Sequence, residues 1–355
     1  MKERRNRRIR VAVLCGGDSP EREVSLRSGE RIASALRRRG YLVATVDPSV
    51  EYTEREMQFT AVPFRKRPCR ARKNRRSIPR ACERHGNSPH FTLSAALFCK
   101  KSDAVFLALH GGAGEDGRIA AMLECMGIPH TGSDHKGLCL SMDKLISKRL
   151  MTEAGIPTPD YVLLPSQNSS KTANHGDLPR DCPFPCVAKP ISGGSSIGVK
   201  MIDSPEELTA FLTDRKNKTD GIIIERRIIG REFTVGVLNG EALAVTEIIP
   251  KEGFYDYNNK YTKGATEEIT PAPIDKETEA AIQTAALNTH KALCLGAYSR
   301  IDIMLCAETN KVYVLEANAI PGMTATSLLP QGAAAVGIDF DTLCERILKQ
   351  ALKTI

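Results

Sequence analysis

The sequence predicts an α/β protein built from more than one domain. Its first fifty residues contain two apolar segments typical of buried strands, Ile9–Leu14 and Tyr41–Val46, with a helical segment between them. A strand–helix–strand unit of this kind forms a parallel sheet. The chain has 355 residues, enough for two or three domains, and a second α/β unit follows in its middle.

The helix between the first two strands has signals at both ends. Ser19 is suited to the N-cap, Pro20 to the first helical position and Gly40 to the C-terminal stop. Glu21 then lies in the first helical turn, at the carboxyl end of the first strand, where ligand sites of open α/β sheets gather. The alternative is that Glu21 only stabilises the helix dipole.

Residues 51–90 interrupt this pattern, and we interpret residues 61–90 as a basic insertion. Residues 1–10 and 65–84 together carry 16 Lys/Arg and two Glu, a net charge of +14, so the remainder of this +8 chain carries −6. Such segments can bind nucleic acid. They show little of the aromatic interleaving that single-strand binders use, so we favour a solvated insertion over a nucleic-acid partner.

The rest of the chain alternates helices and strands. The predicted helices are Leu93–Phe98, Arg118–Met126, Lys136–Ala154, 205–213, Lys276–Leu293 and Asp341–Lys353. The predicted strands are Ala104–Leu109, Phe184–Ala188, Val199–Ile202, Gly221–Ile229, Glu232–Val237 and Ala242–Ile249. The Asn239-Gly240 pair is a strong hairpin signal. Residues 253–264 have the length and composition of a mobile cover over a site.

Two polar loops directly follow buried strands. The glycine-dense loop His110–Gly117 allows the backbone to approach a ligand closely. Lys189 ends a strand just before the Gly/Ser-rich loop Ile191–Gly198, whose N–H groups are suited to phosphates. The spacing is not that of a P-loop, because Val199-Lys200 follows where Lys and then Ser/Thr are required.

The segment Arg300–Thr324 predicts a β-hairpin that carries metal ligands. If its turn centres on Thr309, Asp302 faces Glu316 and Arg300 faces Asn318, with all four side chains on one face. Two carboxylates and an amide oxygen are ligands that Mg²⁺ takes alongside substrate phosphates. The alternative is a solvated outer face. Together with the positive charges of Lys144 and Lys189, this hairpin would suit MgATP held between two sheets.

The composition excludes several classes of protein. The chain is 41% hydrophobic and 26% charged, and no apolar run approaches the roughly 18 residues of a membrane span. The N-terminus lacks the long apolar region of a signal peptide. The 11 Cys include no C-x-x-C pair, which argues against a disulfide framework or a zinc site. We expect a cytoplasmic protein that does not associate with membranes.

Six motifs run in order along most of the chain. They are Gly16-Gly17-x-Ser19-x-Glu21-Arg22-Glu23-Val24-Ser25, His110-Gly111-x-x-Gly114-Glu115-Asp116-Gly117, Met142-Asp143-Lys144, Gly194-Ser195-Ser196-x-Gly198-Val199, Tyr255-Asp256-Tyr257-x-x-Lys260-Tyr261 and Glu316-Ala317-Asn318-x-x-Pro321-Gly322-Met323-Thr324. Singly none is specific, but together they are. The set closely resembles the D-alanine–D-alanine ligase family of the ATP-grasp superfamily.

The resemblance implies a three-domain ATP-grasp architecture. A Rossmann-like N-terminal domain with a parallel sheet would span residues 1–130, and two α+β subdomains that clasp ATP would span 131–220 and 221–355. The family activity is phosphorylation of the first D-alanine carboxylate by ATP, attack by the amine of the second D-alanine, and release of phosphate. The product, D-alanyl-D-alanine, serves peptidoglycan precursor synthesis. The family also suggests two Mg²⁺ or Mn²⁺ ions per site and a homodimer.

The resemblance further implies a role for each matched residue. Metal ligands would be Asp302, Glu316 and Asn318. ATP would be bound by Lys144, Lys189, Glu225, Glu232 and Lys260. The first D-alanine would be held by Glu21, linked to Ser195 and Tyr261, with His110 nearby; the second would be held by Ser327 and the backbone of Leu328. Arg300 and the N–H of Gly322 would stabilise the oxyanion.

Two rival functions stay open. A D-alanine–D-lactate ligase belongs to the same family, although the segment Tyr255–Tyr261 resembles the dipeptide-forming kind. A nucleic-acid-binding protein could use the basic segments on an inactive ATP-grasp body, although the retained lysines and metal ligands argue against it. The sequence departs from the family at Ala319-Ile320, where a Thr often follows the Asn, and this would alter substrate-loop packing slightly.

Overall fold

The computed structural model describes residues 8–61, 91–164, 181–194, 198–214, 221–251 and 264–353. These residues form two compact units. The first comprises residues up to 135 together with 320–330 and 338–355, and the second comprises 136–319 and 331–337. The basic insertion, most of the covering loop, and Ser195, Lys260 and Tyr261 lie outside the described residues. The finer division into three domains stays a prediction.

The first unit contains the predicted parallel sheet. Strands β1 (Arg10–Leu14), β2 (Leu42–Val46) and β3 (Ala104–Leu107) pair in the order β2-β1-β3, and helix α1 (Arg22–Arg38) connects the first two. β1 is buried from Val11 to Leu14 and β3 throughout, as their apolar sequences require, whereas Thr45 in β2 is exposed. The unit also contains α2 (Leu93–Lys100), α3 (Arg118–Cys125) and α9 (Phe340–Lys353).

Helix α1 begins later than predicted. Glu21, not Ser19, occupies the N-cap position, and no side chain caps the helix there. Ser19 instead donates its hydroxyl hydrogen bond to the carbonyl of His110 and accepts one from the Glu21 N–H at 3.1 Å. A contact between two loops therefore replaces the expected helix cap. A short polar side chain such as serine can form either kind of hydrogen bond with the backbone.

The predicted helix Lys136–Ala154 is two helices, α4 (His135–Met142) and α5 (Lys144–Glu153). The break falls at Asp143, which has an extended backbone and accepts a hydrogen bond from the N–H of Ile146 at 2.9 Å. A capping Asp of this kind starts a new helix. Lys144 is consequently the first residue of α5.

Two antiparallel sheets form the second unit. One has the order β4-β7-β5-β6 and the other β10-β9-β8-β11-β12, with helices α6 (Pro205–Asp214) and α7 (Lys276–Ala292) packed on them. The strands are β4 (Tyr161–Leu164), β5 (Cys186–Pro190), β6 (Lys200–Ile202), β7 (Ile222–Arg226), β8 (Gly230–Leu238), β9 (Glu241–Pro250), β10 (Thr266–Ile269), β11 (Tyr298–Cys306) and β12 (Val312–Asn318). Helix α8 spans Leu328–Ala335. None of the described helices is long and apolar enough to cross a membrane.

Both predicted hairpins are confirmed. Asn239 and Gly240 have φ of 53° and 83°, which the tight turn between β8 and β9 requires. In the second hairpin Arg300 pairs with Asn318 and Asp302 with Glu316, as predicted. Nearer the turn Leu305 pairs with Val312, a register that would place Leu315 opposite Asp302. A one-residue bulge restores the predicted pairing.

Candidate active site

A cleft of about 490 Å³ lies between the two sheets of the second unit. Its walls are largely apolar, with Val187 and Met201 on one sheet and Ile248 and Met304 on the other. A cleft of this size and apolar character suits a small organic ligand. It is lined by six of the residues predicted from the sequence, which are Lys144, Lys189, Glu225, Glu232, Asp302 and Glu316.

Two lysines share one buried carboxylate at the cleft. Lys189 Nζ lies 2.8 Å from Glu225 Oε2, and Lys148 Nζ lies 3.4 Å from the same oxygen. The Lys148 side chain is 1% exposed and that of Glu225 is 2% exposed. Burial lowers the pKa of Lys148 to about 8, against the opposing attraction of Glu225. Burial is the largest single influence on Lys189 and acts to lower its pKa, but Glu225, Glu316 and Glu232 together outweigh it and the pKa is raised.

The two carboxylate oxygens of Glu225 differ in their hydrogen-bond partners. Oε1 is buried and has no hydrogen-bond partner among the residues that the structure describes. An unsatisfied buried acceptor is costly in the free protein. Because Glu225 lines the cleft, a ligand that carries an N–H donor would relieve this cost.

Lys144 connects the Gly/Ser-rich loop to the metal hairpin. Its Nζ donates a hydrogen bond to the carbonyl of Gly193 at 2.7 Å and lies 3.7 Å from Glu316 Oε2. Its backbone N–H donates to the carbonyl of Ile191 at 3.0 Å. The first residue of α5 therefore places a positive charge where the loop and the hairpin meet.

Asp302 is the centre of the polar face on the hairpin. Arg300 donates to both of its oxygens, at 2.9 and 2.8 Å, so the pair is bidentate. Thr234 on β8 donates to Oδ1 at 2.7 Å, and the Asn318 amide donates to Oδ2 at 3.0 Å. Asp302 is 6% exposed, and these donors satisfy a carboxylate whose burial without partners would be costly.

The donor set at this face fits a hard divalent cation. Asp302, Glu316 and Asn318 supply two carboxylates and one amide oxygen from paired positions on neighbouring strands, the ligand type of Mg²⁺ and Mn²⁺. Within the described ranges, no group of three or more His, Cys, Asp and Glu side chains is placed to hold a metal ion. The set depends on an amide as its third member.

Two of the predicted substrate residues meet in the first unit. Glu21 is 9% exposed, and a Cβ placed on Gly111 would lie 2.8 Å from its Oε2, so the carboxylate rests against the backbone of the His110–Gly117 loop. Gly111 has φ of 67°, which a larger residue rarely adopts. His110 is buried, with Nε2 3.2 Å from Ser28 Oγ and Nδ1 3.9 Å from Glu115 Oε1.

Helix α1 also holds the turn that contains Gly322. Ser28 accepts a hydrogen bond from the N–H of Met323 at 3.2 Å, and Arg31 donates to the carbonyl of the same residue at 3.0 Å. Ser327 Oγ accepts from the N–H of Thr324 at 2.9 Å, and a Cβ on Gly322 would lie 2.8 Å from that oxygen. Gly322, Ser327 and Leu328 therefore belong to one compact turn, which α8 continues.

Sequence reasoning missed several members of the site. It left Lys148 without a role and did not single out Thr234, Ser28 or Arg31. Lys148 lies four residues after Lys144 on α5, so the sequence places both lysines on the same face of the helix. The local sequence does not show that Lys148 is buried. The contact between Thr234 and Asp302 joins residues 68 positions apart, and only the pairing of β8 with β11 reveals it.

Two antiparallel sheets that enclose a cleft, with lysines on one side and an acidic hairpin on the other, define an ATP-grasp enzyme. Two family models match the chain, "D-ala D-ala ligase N-terminus" over residues 10–133 and "D-ala D-ala ligase C-terminus" over residues 150–349. The chain belongs to the D-alanine–D-alanine ligase family, whose members are ATP-dependent ligases that form a peptide bond.

Individual relatives cover nearly the whole chain. D-alanine–D-alanine ligase of Anaeromyxobacter dehalogenans (strain 2CP-1) is 37% identical over 342 residues, 96% of each chain. That of Aquifex aeolicus (strain VF5) is 38% identical over 340 residues, 96% of this chain and all of the relative. The crystal structure of D-alanine–D-alanine ligase from Bacillus anthracis complexed with ATP has a TM-score of 0.74 and 29% identity, with 98% of each chain covered.

Proposed function

We propose that the protein joins two D-alanine molecules at the expense of ATP, through a D-alanyl phosphate, to give D-alanyl-D-alanine, ADP and phosphate. One observation carries the proposal most directly: Lys144 and Lys189 line the same cleft as Asp302 and Glu316. This arrangement offers cations for the phosphates of a nucleotide and oxygen ligands for its metal ion. Membership of the family supplies the substrates.

The cleft residues would divide the nucleotide between them. Lys144 and Lys189 would bind phosphate oxygens, joined by Lys260 of the covering loop. Glu232 would accept hydrogen bonds from the ribose hydroxyls, and Glu225 would accept one from the adenine amino group. The unsatisfied Oε1 of Glu225 supports the last assignment.

Asp302, Glu316 and Asn318 would hold divalent cations, two per site, as Mg²⁺ or Mn²⁺. Such ions neutralise phosphate charge when bound. The chain's own contribution is to orient these ligands, and the bidentate contact from Arg300 fixes the Asp302 carboxylate in place. Arg300 would also face the oxyanion that forms at the carboxyl carbon of the first D-alanine.

The remaining residues would bind the amino acids. Glu21 would pair with the ammonium group of the first D-alanine, with His110 beside it and Ser195 and Tyr261 completing the hydrogen-bond network. Ser327 Oγ and the Leu328 backbone would bind the carboxylate of the second D-alanine. The N–H of Gly322 would donate to the oxyanion. The covering loop, residues 253–264, would exclude water, because an acyl phosphate hydrolyses readily.

Three further assignments belong to the same proposal. The enzyme would act in the cytoplasm, where ATP is available, and would supply peptidoglycan precursor synthesis. It would be a homodimer, as the family suggests. Residues 1–130, 131–220 and 221–355 would be its three domains.

The test is phosphate release from ATP and Mg²⁺ with D-alanine, with L-alanine, and with D-alanine plus D-lactate, with products identified by mass. We expect release that depends on D-alanine and a product with the mass of D-alanyl-D-alanine. A depsipeptide formed only with D-lactate would transfer the assignment to the rival ligase. Folded protein that releases phosphate with none of these would refute the proposed function.

A further inference from the structure

We propose that Lys148 is a positioning residue of the ATP site, the permanent counter-ion of Glu225 that leaves Lys189 free to bind phosphate. The inference rests on the proposed function, because it assumes that ATP occupies the cleft. Lys148 is not among the residues that line the cleft. Its role is therefore indirect, through Glu225 and Lys189, which do line the cleft.

The first step is that the fold alone does not account for Lys148. A lysine with a 1% exposed side chain is energetically expensive even when paired, and buried ion pairs often contribute no more stability than well-packed apolar residues of similar volume. The lowered pKa of Lys148, about 8, shows the same burial penalty. The ammonium is still protonated at neutral pH.

The second step is the competition for Lys189. In the free protein Lys189 Nζ is the nearer partner of Glu225 Oε2, at 2.8 Å. A phosphate in the cleft would draw this ammonium toward itself and weaken its contact with the buried carboxylate. Lys148 Nζ, 3.4 Å from the same oxygen, keeps Glu225 compensated when that happens.

The third step is that Lys148 itself is held in place. Its Nζ donates to Thr158 Oγ1 at 2.6 Å and lies 3.5 Å from the carbonyl of Pro159. Thr158 in turn donates to the carbonyl of Val314 at 2.9 Å, beside the bulge that sets the register of Glu316. The lysine is thus tied to β7 and, through Thr158, to the metal hairpin.

The experiment measures dissociation constants for ATP and for adenosine, with Mg²⁺, in the wild type and in Lys148→Met. We expect ATP binding to weaken about 30-fold or more, the loss for truncating one member of a buried charge pair. Adenosine binding should change less than about threefold, since no phosphate competes for Lys189. The melting temperature without nucleotide should fall, because Glu225 and Thr158 each lose a buried partner, while circular dichroism should still show a folded protein.

Two controls sharpen the result. Arg149→Met removes an exposed charge from the same helix and should leave both constants unchanged. In a Glu225→Gln background, Lys148→Met should lose most of its effect on ATP, because no carboxylate needs compensation. Thr158→Val, which removes only the hydroxyl anchor, should weaken ATP binding in the same direction and provides the test if Lys148→Met does not fold.

Three results would overturn the inference. Equal losses for ATP and adenosine would make Lys148 a general structural residue. Unchanged ATP binding in Lys148→Met would remove the role altogether. Failure of the wild type itself to bind ATP would refute both this inference and the proposed function, and so is distinguished from the first two.

Discussion

Replacing Thr234 by Val should destabilise the second unit through a single lost hydrogen bond. Thr234 is 2% exposed, and its hydroxyl donates to Asp302 Oδ1 at 2.7 Å. Val has nearly the same shape, so packing on β8 changes little. The hydroxyl also lies 3.2 Å from the carbonyl of Ile301, but the carboxylate is the nearer acceptor of its single hydrogen, so the substitution tests mainly the bond to Asp302.

The magnitude follows from the partners that remain. A hydrogen bond to a charged group contributes about 1.5–3 kcal/mol, and a neutral one about 0.5–1.5 kcal/mol. Asp302 keeps the two bonds from Arg300 and the one from Asn318. We therefore expect the lower half of the first range, a loss of about 2 kcal/mol in the free energy of unfolding.

Thr246→Val is the matched control. Thr246 pairs directly with Thr234 in the sheet, is 1% exposed, and bonds only to the neutral hydroxyl of Thr270, at 2.7 Å. Because Thr270 is only half-buried and can bond to water, this variant should lose about 0.5 kcal/mol. Urea unfolding of both variants without nucleotide measures the difference. Equal losses would refute the charged-bond argument.

Three further predictions concern other parts of the molecule. Gly230→Ala should cost about 3 kcal/mol or more in thermal or urea unfolding, because its Cβ would lie 1.9 Å from the carbonyl oxygen of Leu305; near-normal stability would contradict the packing at the start of β8. Glu316→Ala should abolish ATP turnover while circular dichroism stays unchanged, and turnover like that of the wild type would disprove the metal assignment. Burial acts to raise the pKa of Glu124, but hydrogen bonds from the backbone and side chain of His135 and from the side chain of His130 lower it below 4.5. This carboxylate stabilises the fold above its unfolded-state pKa and stops doing so as the pH falls through the lower folded-state value, so Glu124→Gln should lose less stability than the wild type on acidification below pH 4.5.

The strands and the metal hairpin could be predicted because the pattern of apolar and polar residues is visible in their local sequences. Asp302 and Glu316 each interrupt an apolar strand, and they lie opposite each other when the hairpin is folded about its turn. Because side chains alternate between the two faces of a strand, both carboxylates lie on one face. The assumed turn centre was half a residue off, and the bulge at Leu315 compensated for it. This bulge could not be predicted from the local sequence, because a bulge depends on how the strand pairs with another segment.

The failures have a common physical cause, which is competition from distant partners. Ser19 has the chemistry of an N-cap, but its hydroxyl is used by the carbonyl of His110. Strand β4 (Tyr161–Leu164) is four half-buried residues whose identity as a strand depends on pairing with β7. In the sequence Lys148 looks like an ordinary helical lysine, and only the fold shows that it contacts Glu225.

The most direct test of the account is the fate of oxygen-18 placed in the carboxylate of D-alanine. If ATP activates that carboxylate as an acyl phosphate, attack by the second amine leaves one labelled oxygen in the released phosphate, which mass spectrometry detects. We predict one labelled oxygen in the released phosphate for each dipeptide formed. Dipeptide formation with unlabelled phosphate would contradict carboxylate phosphorylation, and with it the roles assigned to Arg300, Lys144 and Lys189.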